Sequence, residues 1–176
     1  MNSDPILIVW GEPNIVFTEI FFKSLKKYKS KKPIVVIGSL NLFKDQFRKL
    51  KFSFNFDLIN LIETNLNNVD KKKINFINLN YKYKKTFDKI SSKSNKYLLD
   101  CFRIVFQINK HKKISGLING TISKKYFLNK KFQGVTEFLA DYYKIKEKYA
   151  MLIYNKSLSV TPVTSHLPVE KIAKKL

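Results

Sequence analysis

Continuous apolar runs alternate with helical stripes along this chain. Pro5-Ile6-Leu7-Ile8-Val9-Trp10 is unbroken and is bounded by Pro5 and by Gly11-Glu12-Pro13. Such a run suits a strand buried on both faces, as in a parallel sheet. Phe17, Ile20, Phe21, Leu25 and Tyr28 then recur at helical spacing, with Lys23, Lys26 and Lys27 among the other positions. Pro33-Ile34-Val35-Val36-Ile37-Gly38 repeats the strand signal, and Leu42, Phe43, Phe47 and Leu50 give a second helical stripe. A β-α-β-α opening argues a parallel sheet with crossover helices.

Further on, Phe52, Phe54 and Phe56 alternate with polar residues, and residues 57–62 could form a short strand. The pattern leaves the packing of residues 51–73 open. Ile74-Asn75-Phe76-Ile77-Asn78-Leu79 reads as a strand. Residues 94–110 form a long helical pattern: Tyr97, Leu98, Cys101, Val105 and Ile108 share a face that Phe102 and Phe106 widen. A lysine-rich turn with His111 ends it, since cations favour helix C-termini. Ile114-Ser115-Gly116-Leu117-Ile118-Asn119 is the next expected strand, ending in Gly120-Thr121, and residues 123–128 read as a short helical piece. From Gly134 a helical pattern leads into two strand-like runs. The second closes on Thr164-Ser165-His166-Leu167-Pro168, read as a strand-to-helix junction. Ligands gather at the carboxyl ends of strands in open α/β sheets, so position and chemistry both point to His166. No repeat, linker or internal boundary is visible, which gives one domain over residues 1–176.

Composition sharpens part of this picture. The chain is 44% hydrophobic, enough to bury a core. A net charge of +21 raises a nucleic-acid or polyanion-binding module as an alternative. The aromatic-basic segment at residues 81–85 would suit stacking on single strands. The excess is almost all lysine, however, with Arg48 and Arg103 the only arginines, and Asn, Ile, Phe and Tyr are abundant. That is the usage an AT-rich genome imposes, so solvated lysine faces are the simpler reading and nucleic acid is not the expected partner. Cys101 is the single cysteine, which excludes an internal disulfide and a Cys-based metal site, and its place on an apolar stripe reads as core. Asp4 and Pro5 precede only a short apolar run, neither a secretory signal nor a membrane span of roughly 20 residues, so a soluble, cytoplasmic protein is expected. G-x-G-x-x-G, G-x-x-x-x-G-K-[ST], H-E-x-x-H and G-x-S-x-G are all absent, and two histidines cannot supply a His-rich zinc site.

Four blocks carry a resemblance. Gly134-Val135-Thr136-Glu137-Phe138-Leu139-Ala140 resembles the G-H-T-E-F-L-A segment of 4-hydroxythreonine-4-phosphate dehydrogenases. Thr161-Pro162-Val163-Thr164-Ser165-His166-Leu167-Pro168 is similar to that family's L-V-T-T-H-I-P, and Asn119-Gly120-Thr121-Ile122-Ser123-Lys124 to its T-A-P-I-N-K. Gly11-Glu12-Pro13, followed by Glu19-Ile20, resembles G-D-P-A-G-I-G-P-E-I. Order and spacing agree in all four, over what would be the N-terminal half of a family member.

The resemblance implies an α/β fold like that of isocitrate and isopropylmalate dehydrogenases, with a mostly parallel sheet, helices on both faces, and truncation. Such enzymes bind NAD without the glycine fingerprint. The family oxidises the hydroxyl of 4-phosphooxy-L-threonine. The β-keto acid then loses carbon dioxide to give 3-amino-2-oxopropyl phosphate, on the route to pyridoxal phosphate (vitamin B6). A divalent metal (Zn, Mg or Co) polarises the substrate oxygen, held by three histidines from both subunits of a homodimer. By position, His166 matches the first metal-binding histidine and Thr136 a substrate-binding threonine, which also reads as a helix N-cap. Glu12, Asn119 and Lys124 match positions that line the site. The resemblance assigns no catalytic or NAD-contacting residue. Val135 stands where the family has a substrate-contacting histidine, and valine can neither donate nor accept a hydrogen bond. Asn14-Ile15-Val16-Phe17-Thr18 lacks the family's glycines there. Pro168 is expected to start a helix, which the chain leaves after a few residues. The expectation is therefore a fragment, inactive alone because the other metal ligands and the phosphate clamp lie past residue 176. A degenerate, non-catalytic relative is the other alternative.

Overall fold

The apolar runs become parallel strands, and the stripes become the helices that cover them. The computed structural model describes residues 4–27, 30–61, 64, 66–127, 131–145, 149–164 and 167–174. Tyr28, Ile62, Leu128, Ser165 and His166 lie outside the described residues. The chain divides into two compact units, Met1–Phe127 and Leu128–Leu176.

The first unit runs β1 (Ile6–Val9), α1 (Phe17–Lys27), β2 (Ile34–Gly38), α2 (Leu40–Lys49), β3 (Phe56–Leu58), β4 (Ile74–Asn78), α3 (Asn95–His111) and β5 (Gly116–Asn119). The strands lie in the order β3-β4-β2-β1-β5, every neighbouring pair parallel. Val9 sits opposite both Ile37 and Asn119, so β1 ends level with these residues of its two neighbours, β2 and the edge strand β5. Residues alternate between the faces of a strand. Ile8, Trp10, Val36, Ile74 and Phe76 meet Phe21 and Phe22 of α1 and Phe43 of α2 in one buried cluster. Leu7, Val9, Val35 and Ile37 turn the other way and are fully buried, and α3 packs against β1 and β2. The expected parallel α/β architecture, with helices on both faces, is present.

Residues 51–73 resolve through their phenylalanines. Phe52, Phe54 and Phe56 all rest on the α1–α2 cluster, with the Phe22 ring 4.9 Å from Phe52 and 5.1 Å from Phe54. The short strand falls at Phe56–Leu58, at the sheet edge beside β4. Cys101 is buried, and burial pushes its thiol up to about 12, so it stays an inert core group at neutral pH. His111 is the exposed last residue of α3.

The short helical piece expected at 123–128 is one turn over its described residues. Phe127 N–H donates to Ser123 O at 2.9 Å, while the Ser123 hydroxyl accepts from Tyr126 N–H at 3.3 Å. The Ser123 hydroxyl thus sits as an N-cap on this turn, whose described residues end at Phe127.

The second unit contains α4 (Val135–Tyr142), β6 (Ile153–Tyr154) and β7 (Ser159–Val160). The two late strand-like runs pair with each other, antiparallel, and not with the parallel sheet. Asn155 N–H donates to Leu158 O at 3.0 Å, and the Asn155 side chain accepts from Ser157 N–H at 3.0 Å. So short a connection closes a hairpin, whereas a parallel partner needs a crossover of roughly a dozen residues. β7 ends at Val160, so the strand-end argument for His166 does not hold. Pro168 precedes only a short 3-10 turn, Val169–Lys171. Among the described residues, no helix is long and apolar enough to cross a membrane.

Candidate functional site

The carboxyl ends of β1 and β5 are held together by two glycines. Gly11 has φ +82°, a region that favours glycine, and a Cβ there would lie 2.7 Å from the Gly120 carbonyl carbon. A Cβ on Gly120 would lie 2.2 Å from Trp10 O. Only bare backbone fits on both sides of this seam. Gly120 N–H donates to Val9 O at 2.8 Å, and Glu12 N–H donates to Thr121 O at 2.9 Å.

The seam carries Glu12 inward, and its side chain is 1% exposed. The Ser94 hydroxyl lies 2.9 Å from Glu12 Oε2 and 3.0 Å from Ser91 O, so its one proton is shared between two acceptors. Glu12 Oε1 is buried with no hydrogen-bond partner. Burial raises the carboxyl above its ordinary value of 4.5, and the Ser94 bond pulls it back only in part. Glu12 is thus a carboxyl inclined to keep its proton, with one oxygen free to meet a donor.

The loop after Glu12 is fixed by α2. Thr18 donates to Gln46 Oε1 at 2.5 Å, and Gln46 Nε2 donates to Pro13 O at 2.6 Å. Both side chains are fully buried. The strand ends contribute other polar contacts: Asn78 Oδ1 accepts from Leu40 N–H at 2.9 Å, and the Tyr97 hydroxyl accepts from Ser39 N–H at 2.8 Å. The sequence reading passed over Ser94, Thr18 and Gln46. Gln46 did leave a signal, since it falls on the helical face of Leu42 and Phe43 where an apolar residue is expected.

Of the five sequence-predicted site residues, the structure brings two into this seam. Glu12 is one; Asn119, the last residue of β5, is the other, half-buried with its amide donating to Gly120 O at 3.2 Å. Lys124 is exposed in the turn that follows. Thr136 belongs to the second unit, exposed at the second position of α4. The N-cap of α4 is Gly134 and not Thr136, and it makes no side-chain cap bond. The Glu137 carboxylate folds back there, 2.9 Å from where a Cβ on Gly134 would stand. His166 lies outside the described residues. Among the described residues, no three of His, Cys, Asp and Glu come together to hold a metal ion. Those residues do not by themselves fit the expected metal.

A parallel sheet flanked by helices, with a buried carboxyl at its strand ends, defines an open α/β domain. Solved structures of 4-hydroxythreonine-4-phosphate dehydrogenases share the fold. The one from Klebsiella pneumoniae aligns with a TM-score of 0.79 at 20% identity, over 99% of this chain and 55% of that one. The one from Burkholderia phymatum gives 0.78 at 19% identity, over 98% and 53%. The family model of the pyridoxal phosphate biosynthetic protein PdxA matches residues 29–176, and the chain belongs to that family. A 4-hydroxythreonine-4-phosphate dehydrogenase of Sulfurihydrogenibium sp. (strain YO3AOP1) is 31% identical over 179 residues, which cover 97% of this chain and 52% of that protein. The chain spans about half the length of the curated relative it matches.

Proposed function

We propose that this chain carries part of a 4-hydroxythreonine-4-phosphate dehydrogenase, a cytoplasmic enzyme of vitamin B6 synthesis that oxidises 4-phosphooxy-L-threonine with NAD. Decarboxylation then gives 3-amino-2-oxopropyl phosphate. The family match over residues 29–176 is the observation that carries the reading. Thr136 supports it by presenting an exposed hydroxyl, able to bond a substrate, in the first turn of α4. Glu12 offers a buried carboxyl, its pKa raised by burial, at the β1–β5 seam, where Asn119 adds an amide.

His166 is the proposed metal ligand. A divalent metal, when bound, would act as Lewis acid on the substrate hydroxyl. The family resemblance draws the remaining ligands from both subunits of the homodimer, and the described residues of one chain hold no group of three His, Cys, Asp or Glu by themselves. Val135 replaces the family's polar contact with an apolar, half-buried side chain. For both reasons the 176 residues alone are proposed to bind substrate without turning it over. The proposed assembly is a homodimer with the site at the subunit interface. The second unit supports it with a run of exposed apolar residues around its hairpin.

The test is titration calorimetry of 4-phosphooxy-L-threonine with and without Zn²⁺, alongside NADH formation. Binding should be metal-dependent and lost in Thr136→Val and His166→Ala, with no NADH formed. Metal-independent or absent binding sinks the assignment of these two residues, and NADH formation by the chain alone sinks the proposal that it does not turn substrate over.

A further inference from the structure

A concavity in the first unit uses none of the residues just assigned. The segment from the carboxyl end of β4 to the start of α3 folds around a pocket of about 390 Å³. Lys82, Lys84, Lys89 and Lys93 line it, with Tyr81 and Tyr83 among its walls. All four lysines are exposed.

The segment is pinned rather than draped. Asn14 clamps it from the β1 side: its amide donates to Lys89 O at 3.4 Å, and its Oδ1 accepts from Asp88 N–H at 3.3 Å. The Tyr81 ring packs on that of Tyr97, centroids 4.9 Å apart. The Tyr83 hydroxyl donates to Asp45 Oδ2 at 2.6 Å. Burial and that carboxylate hold the Tyr83 phenol up at about 12, so the ring is a neutral wall at physiological pH.

The charge around the pocket is not balanced from within. Asp88 is the only carboxylate among its lining residues, and it already accepts from Lys89 N–H at 2.8 Å. Asp45, behind Tyr83, is shared with Arg48 at 3.3 Å. The ion pairs among the described residues use Lys23, Arg48, Lys73 and Arg103, none of the four pocket lysines. Four ammonium groups around one concavity repel each other, and a cleft with low-dielectric walls focuses their field. The 17-residue α3 begins just beyond Lys93 and adds the positive end of its dipole to the same side. The pocket also lies where an open α/β sheet collects ligands, beyond the carboxyl ends of its strands.

The geometry points to a binding pocket for a small molecule that carries adjacent phosphate groups, held by Lys82, Lys84, Lys89 and Lys93. One phosphate would leave most of the lysine charge unpaired, whereas a diphosphate spreads several charges over neighbouring oxygens. A nucleic-acid strand fits less well. Strand binders lay cations along a groove that tracks several nucleotides, and here the cations converge on one hollow.

Titration calorimetry with inorganic pyrophosphate tests this on the 176-residue chain. The pocket variant K82Q/K84Q/K89Q/K93Q should bind it at least about tenfold more weakly, the loss expected when charge-assisted bonds are removed. A charge-matched variant elsewhere, K27Q/K49Q/K71Q/K113Q, should stay within about threefold, as distant surface charges are largely screened. All eight lysines lie on the exposed surface, and circular dichroism melts check that both variants fold. ADP distinguishes the source of the diphosphate: tighter binding than pyrophosphate assigns a nucleotide, and equal binding assigns the diphosphate alone. Three results overturn the proposal. They are no pyrophosphate binding by the parent chain, an equal loss in both variants, or displacement of pyrophosphate by an oligothymidylate that both variants weaken alike.

Discussion

Glu12 shows how one residue can tie stability to pH. Its carboxyl is buried, one oxygen bonded by Ser94 and the other without a partner. Burial raises its pKa, so between the ordinary value of 4.5 and its own higher value the native state binds more protons than the unfolded chain. Stability therefore falls as pH rises through that interval. Glu12→Gln removes the titration and should flatten this part of the profile in thermal melts run from below 4.5 up to neutrality. An unchanged slope would show that another group titrates. Two glycines give a matched pair at the same scale. Gly120→Ala places a methyl 2.2 Å from Trp10 O and should cost about 1–3 kcal/mol or more in urea unfolding, as overpacking does. Gly116→Ala meets nothing within 4 Å and should be neutral, or stabilising by about 0.4–1 kcal/mol, by restricting the unfolded chain. Equal effects at the two positions would contradict the close approach at the β1–β5 seam.

Phe22 is the hub of the elements on one face of the sheet. It is fully buried and touches the rings of Phe21, Phe43, Phe47, Phe52 and Phe54. It thereby joins α1 to α2 and to the segment entering β3. Phe22→Ala should cost about 3–5 kcal/mol by lost transfer energy and an unfilled cavity, read as a lower urea midpoint with an unchanged slope. A loss under about 1 kcal/mol would mean the aromatic cluster collapses to fill the space. These elements also mark how far the sequence could be read. Pro5 to Trp10 and Pro33 to Gly38 were legible because a strand covered on both faces keeps an unbroken apolar run. The extent of the turn at Ser123 was not, because an N-cap serine marks where a helical turn starts and not where it stops. Nor was the hairpin, because periodicity marks strands without naming their partners. At the site, Glu12 and Asn119 were visible only through the family blocks around them. Ser94 and Gln46 stayed hidden because their roles depend on packing against residues far away in sequence.

The surface of the second unit carries a prediction for the whole molecule. β6 and β7 contribute two residues each, and a two-stranded hairpin of that size is marginal in water. Its flanks are nonetheless apolar: Ile153 is 60% exposed, Tyr154 72%, Leu158 68% and Val160 47%. Contiguous exposed apolar residues mark an interaction surface, and the proposed homodimer offers a second copy as its cover. Two copies of a chain with net charge +21 repel each other while their apolar faces attract. Added salt screens the repulsion and leaves the apolar attraction, so association should strengthen as ionic strength rises. Sedimentation velocity should then show a concentration-dependent dimer, more populated in higher salt. Ile153 and Val160 sit opposite each other across the hairpin. The double variant Ile153→Lys, Val160→Lys puts two cations on one patch and should leave monomer at all concentrations. A parent chain that stays monomeric in high salt would sink the assignment of this surface to a second copy.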